Sequence, residues 1–428
     1  MNNLIQKYQS TIGQVNYMFF LLFVALLPFP QIYLRLACVL WLFTWLLEGR
    51  FCQKSNIQDW RKMMPFLMFG GWYIWKVVSG LWADDLDAYS WQLERYMVFG
   101  LLVPIGIWGV NAHYDWKQVC RVLVVSCVIA AGVYVFTLYW VFNANYFKHQ
   151  LGTFSLASLP WEFFADKVSF IKHRLFLCST ELLGIMALLY IRRDILHQHG
   201  RIKGGLLILG AMGIMVALIL ATGSRASILS GLALLTVWLL YKLPIRRTRY
   251  RIAFVLLACA VGVFALTQHP RMQEFDYEHL LSIRDTAQEH NIRLNIWGTA
   301  LDSPADYSLY GLGAGQSVPY LQQKYAEEGL ADYAQISYAT HNQYLAEWME
   351  IGVPGLIFFI LAWISIPYFN KKRARKSAMM LLTLYGLNML TDCMWGMFDG
   401  IALWCVWMLL ILLQSNSQAN QQPARDAQ

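Results

Sequence analysis

The sequence predicts an all-α integral membrane protein of about twelve transmembrane helices, with one large, mostly helical loop between the ninth and tenth. Three observations carry that prediction. Hydrophobic residues make up 57% of the 428-residue chain and charged residues only 14%, against roughly 25% charge in soluble domains. Apolar runs of about 17 to 25 residues recur along the chain, each long enough to cross ~30 Å of hydrocarbon as a helix. The basic residues collect in alternate short loops, where orientation signals belong.

In order, the expected spans lie near 13–29, 31–48, 64–82, 93–110, 117–142, 173–191, 204–222, 226–243, 251–267, 345–369, 377–394 and 397–414. The segment before the first is weakly charged and runs on without a small-residue cleavage site, so no removable signal is expected there. Arg50, Lys54, Arg61 and Lys62 follow the second span, and Arg192, Arg193, Arg201 and Lys203 follow the sixth. Lys242, Arg246, Arg247, Arg249 and Arg251 follow the eighth; Lys371, Lys372, Arg373, Arg375 and Lys376 follow the tenth. All four clusters assign the same side as cytoplasmic, which places both termini there. The polar tail 415–428 is expected to be disordered.

The opposite face receives Asp84, Asp85 and Asp87, a middle loop of 143–172, and the large loop 268–343, whose acidic residues outnumber its basic ones. Two amphipathic helices are expected in that loop, over 274–301 and 317–329, joined by the turn Gly311-Leu312-Gly313-Ala314-Gly315. The formal charge of +8 does not argue for nucleic acid, because it is held in the short clusters between spans. The eight cysteines fall in spans or at their cytoplasmic ends with no CxxC pair, which fits packing rather than a disulfide framework or a zinc site. No internal repeat is visible.

Four places have the composition for chemistry. Thr340 and Gln343 have capping-box spacing, which would put His341 in the first turn of the tenth span at the outer surface. There an imidazole suits general-base work on a hydroxyl, or else hydrogen-bonds a headgroup. Arg225, in the polar break Thr222-Gly223-Ser224-Arg225, either offers its guanidinium fork to a diphosphate or snorkels to the interface. Arg174 opens the sixth span and Arg293 lies in the loop's first amphipathic stretch. Several cations on an outer surface run against the positive-inside bias, and a local anion is their simplest partner. Asp84, Asp85 and Asp87 read as solvated carboxylates or, less readily, as ligands of a divalent cation; no metal or cofactor is expected. Trp297 and Tyr344 suit interfacial belts or sugar stacking.

These residues resemble the O-antigen ligase family. The likeness rests on Gly223-Ser224-Arg225 after a span, Arg293 followed by Trp297, the Gly311 to Gly315 turn, and His341-Asn342 leading through Glu350 to Gly352; it covers about 205–365. Arg174 with Phe176 is similar to an arginine that the family carries at the start of an earlier span. The resemblance implies a metal-independent, inverting glycosyltransferase at the periplasmic face of the bacterial inner membrane. Its donor would be an undecaprenyl diphosphate-linked glycan and its acceptor a sugar hydroxyl of the lipid A core. Arg225, Arg293 and Arg174 would hold the diphosphate, His341 would serve the acceptor, and Asn342, Trp297, Tyr344 and Gly313 would touch substrate. Related members polymerise repeat units or glycosylate proteins, so those acceptors stay open, and a transporter is a third class with the same helix count.

Overall fold

The computed structural model describes residues 2–52, 56–149, 172–222, 224–242, 248–267, 292–336 and 338–421. Lys54, Gly223, Arg246, Arg247, most of the expected middle loop and residues 274–291 of the first expected loop helix lie outside these. So do Glu274, Asp276, Glu278, Asp285 and Glu289.

Regular structure among the described residues is helical: α1 (Asn2–Ala25), α2 (Gln31–Glu48), α3 (Trp60–Val78), α4 (Leu86–Trp108), α5 (Trp116–His149), α6 (Arg174–His199), α7 (Arg201–Thr222), α8 (Arg225–Lys242), α9 (Thr248–Thr267), α10 (Ile292–Asp302), α11 (Ser317–Glu327), α12 (Ala331–Ile336), α13 (Gln343–Phe369), α14 (Lys372–Asn388) and α15 (Phe398–Gln421). Every expected span falls on one of α1 to α9 or α13 to α15. Seven of these, α2, α5, α6, α7, α8, α13 and α15, are long and apolar enough to cross a membrane. Helix α4 starts before its expected boundary because Asp85 caps it, its carboxylate accepting from Asp87 N and Ala88 N at 2.9 Å. α15 continues through Gln421, into the segment expected to be disordered.

Two compact units form. Unit 1 comprises Met1–Cys52, Val110–Gly231 and Ala402–Leu413; unit 2 comprises Gln53–Gly109, Leu232–Ile401 and Gln414–Gln428. In unit 1 a buried polar knot answers its own donors: Asn16 donates to Trp41 O and Thr44 Oγ1 and accepts from Tyr114, whose hydroxyl accepts from Trp41 Nε1. Lys172 caps the chain after α1, donating to Leu27 O at 2.6 Å and Phe29 O at 2.9 Å.

Unit 2 is built around Trp395, fully buried and packed against Phe99, Trp72, Phe359 and Trp363 with ring centroids 4.4 to 5.6 Å away. Its decisive feature is a break in α13. Gly352 leaves the helical region at φ 66, ψ −175, a conformation essentially confined to glycine. Two residues on, Pro354 lacks the N–H that would reach Glu350 O. The glycine turn of the loop supplies the missing donors: Leu312 N bonds Met349 O at 2.8 Å and Gly313 N bonds Glu350 O at 2.9 Å. Val353 N turns to Ser308 O at 2.8 Å, and Trp75 Nε1 reaches Ile351 O at 3.2 Å. The approach is possible because two glycines face each other. A Cβ on Gly311 would lie 2.3 Å from Glu350 O, and one on Gly352 would lie 2.5 Å from Leu309 O.

Behind the break lies a buried charge cluster. Lys76 of α3, fully inaccessible, sits 3.1 Å from Glu347 and 2.6 Å from Glu350. Glu350 also accepts from Gln92 of α4 at 2.7 Å and from Ser317 of α11 at 2.8 Å; Glu347 accepts from Trp72 at 3.1 Å and Gln343 at 2.8 Å. At the start of α4, the Gln316 amide exchanges two hydrogen bonds with the backbone of Asp85. The loop's apolar face closes over Ile296, Ala300, Leu321, Tyr325, Leu345 and Met349. Loop helices α10 and α11 are thereby fixed to the C-terminal end of α3, the N-terminal end of α4 and the N-terminal half of α13.

Two substitutions and one control test this arrangement by thermal unfolding of the full-length protein in detergent. Gly352→Ala should cost about 1–3 kcal/mol from backbone strain alone, with overlap added, whereas Gly210→Ala, in open space on α7, should leave the midpoint unchanged or raise it. Lys76→Met strands two buried carboxylates and should destabilise by about 3–5 kcal/mol; a midpoint at the parental value would refute the role assigned to the cluster.

Candidate functional site

The site is set by how α13 begins. The cap is Asn342 and not Thr340: its side-chain oxygen accepts from Leu345 N at 3.1 Å, and the helix starts at Gln343. Thr340 instead bonds back to Asn342, donating to its carbonyl at 3.0 Å. The expected capping box is corrected accordingly. His341 stands before the helix, in the left-handed region at φ 47, so its imidazole projects from a strained bend rather than from a first turn. Gln343, the other expected box member, turns its side chain inward to Glu347.

His341 Nδ1 lies 3.4 Å from Asp392 Oδ1, with side-chain exposures of 32% and 20%. A carboxylate there fixes the orientation of the ring. Both groups keep enough exposure to meet a substrate. Asp392 Oδ1 also accepts from Cys393 N at 2.8 Å, and the Tyr338 ring stands 6.3 Å from the imidazole. Trp297 Nε1 donates to Thr340 O at 2.8 Å, tying α10 to the residue before His341. Arg293 is exposed one helical turn before Trp297, on the same face of α10. Within unit 2, α10 thus carries an exposed guanidinium and is tied through Trp297 to the backbone just before His341.

Arg174 and Arg225 belong to unit 1. Each opens its helix, α6 and α8, and both are half-buried. Their helices meet where Cys178 of α6 bonds Ser227 of α8, and Cys178 Sγ also lies 2.8 Å from Thr222 Oγ1 at the end of α7. Ser224 and Ser227 share a bond of 2.8 Å that closes the first turn of α8. Deeper on α6, Glu181 is fully inaccessible, and among the described residues neither of its oxygens has a hydrogen-bond partner.

The remaining expected contacts hold structural positions. Gly313 is part of the clasp on α13, Asn342 is a helix cap, and Tyr344 donates to Gly386 O of α14 at 3.3 Å and packs on Phe359. Asp85 is occupied as a cap, and among the described residues no group of three or more histidines, cysteines or carboxylates is placed to hold a metal ion. Sequence reasoning passed over Asp392, Lys76, Glu347 and Arg95, the last donating to Gly396 O in the turn after α14. Ionisable residues inside apolar runs were the available signal.

Residues 210–360 match the family model described as O-antigen ligase. The teichuronic acid biosynthesis protein TuaE of Bacillus subtilis is 24% identical over 349 residues, which are 77% of this chain and 67% of that protein. The seven described helices long and apolar enough to cross a membrane agree with that match. Residues 210–360, which include Arg225, Arg293 and His341, match an O-antigen ligase family domain, and the two comparisons together support a polysaccharide-related membrane glycosyltransferase or ligase.

Proposed function

We propose that the protein transfers a glycan from undecaprenyl diphosphate to a sugar hydroxyl of the lipid A core at the periplasmic face of the inner membrane. In this reading all twelve long helices span the bilayer, with both termini cytoplasmic. The single observation that carries it is the partly exposed His341–Asp392 pair, with the helix that carries Arg293 bonded through Trp297 to the residue before His341. The donor's diphosphate docks on Arg225 and Arg293 with help from Arg174, and its polyprenyl chain lies among the helices.

The acceptor oxygen forms its bond to the anomeric carbon as the carbon–oxygen bond to phosphate breaks, with inversion at carbon. Its proton passes to His341, whose imidazolium Asp392 stabilises. Charge grows on the departing diphosphate, so fixed guanidiniums stabilise the transition state more than the bound donor. They supply the positive charge that a divalent cation provides elsewhere.

A second reading has one specific support. The relative named for teichuronic acid biosynthesis favours an acceptor that is itself a growing polysaccharide, which would make the enzyme a polymerase with the same donor chemistry.

Purified protein given undecaprenyl diphosphate-linked glycan and lipid A core should form conjugate. Arg225→Ala and His341→Ala should each lower kcat/KM by on the order of a hundredfold or more without moving the unfolding midpoint; full activity in both would refute the assignment. Lipopolysaccharide gels of a deletion strain separate the acceptors, because loss of every capped species marks a ligase and a core with a single repeat marks a polymerase. Conjugate formation should persist in excess chelator, and activity restored only by a divalent cation would contradict the guanidinium mechanism.

A further inference from the structure

We propose that Gln343 and Glu347 are positioning residues that hold Asp392 against His341, and that the buried Lys76 cluster is the anchor from which they act. The inference rests on the reading of His341 given above.

Asp392 sits in the turn that joins α14 to α15, and that turn is gripped at both ends by one residue. Gln343 N donates to Met389 O at 2.8 Å, while Gln343 Oε1 accepts from Trp395 N at 3.0 Å. The grip closes around Asp392, which is otherwise held by its own turn through Asp392 N to Asn388 O at 2.9 Å. Thr340 Oγ1 and Cys393 Sγ, 3.3 Å apart, add one contact beside the histidine, and Arg95 fastens the far side of the turn at Gly396.

A carboxamide can face a turn in two orientations, and only one places its oxygen at Trp395 N. Glu347 selects it. The Glu347 carboxylate accepts from Gln343 Nε2 at 2.8 Å, and a carboxylate offers only acceptors, so the amide must present its nitrogen there and its oxygen to the turn. Glu347 is in turn fixed by Lys76 at 3.1 Å and Trp72 at 3.1 Å. Gln343 and Glu347 lie four residues apart on α13, one above the other on a face that is wholly buried. The chain of contacts therefore runs from Lys76 through Glu347 and Gln343 to the turn, and ends at the carboxylate 3.4 Å from the imidazole. Neither Gln343 nor Glu347 has side-chain exposure to meet substrate, so any effect they have on transfer passes through Asp392.

The test is a double-mutant cycle on the full-length protein, with undecaprenyl diphosphate-linked glycan and lipid A core as substrates. Gln343→Met keeps the side chain's length and removes both bonds; it should lower kcat by on the order of tenfold while KM for the donor stays within about twofold. In an Asp392→Ala background the same change should cost nothing further, because its effect passes through a carboxylate already removed. A multiplicative loss in that background would overturn the relay, since a residue that merely stabilises the fold acts independently of Asp392. Should Gln343→Met not fold, Glu347 carries the comparison. Glu347→Gln can still turn an oxygen to Gln343 and should retain kcat, Glu347→Leu should lose it, and equal activities in the two would overturn the proposal. His341→Ala separates the two layers: full activity there refutes the assigned chemistry, whereas an inactive His341→Ala with multiplicative Gln343 effects refutes the relay alone.

Discussion

A backbone carbonyl freed inside or beside hydrocarbon has no water to turn to, and the break at Gly352 frees several at once. The rest of unit 2 is organised by how those groups are answered. Pro354 guarantees that Glu350 O has no partner within its own helix, and Gly352 swings the chain so that Met349 and Glu350 carbonyls point toward the loop. Leu312 N and Gly313 N complete them. The loop is thus hydrogen-bonded into the helix as if it were a missing turn, and α10 and α11 inherit a fixed position from that junction.

The charge cluster reinforces the same junction from within. One lysine and two carboxylates, all buried, would be costly if any contact were lost. Here every element that must stay together contributes a partner: Lys76 and Trp72 from α3, Gln92 from α4, Ser317 from α11, and Glu347 and Glu350 from α13. Breaking the loop from the break would therefore also strip Glu350 of a donor. His341 benefits because it lies between these two restraints, with Trp297 holding the residue before it and Gln343 holding the turn that faces it.

The helices were legible because each apolar run is long and each basic cluster follows one, a pattern that depends on local composition alone. Gly352 and Pro354 were visible as letters, but the clasp they create was not, since its donors lie some forty residues earlier in the chain, beyond any periodicity. The cap at α13 shows how local rules compete. Thr340 and Gln343 have the right spacing, yet Asn342 is an equally good cap placed closer to the first apolar turn, and its oxygen takes Leu345 N. Gln343, released from capping, becomes available to the turn carrying Asp392. That aspartate could not be paired with His341 from sequence, because the two meet only through the packing of α13 on α14. Arg293 and Trp297 were legible only as residues within an amphipathic stretch of the loop, and α10 carries both.

Amide hydrogen exchange of the full-length protein in detergent reads the junction directly. If the loop is hydrogen-bonded into α13, the amides of Leu312, Gly313 and Val353 exchange as slowly as those in the middle of that helix. Exchange at these three positions as fast as at an exposed turn would mean that the loop is not clasped to the break, and the geometry assigned to His341 would lose its foundation.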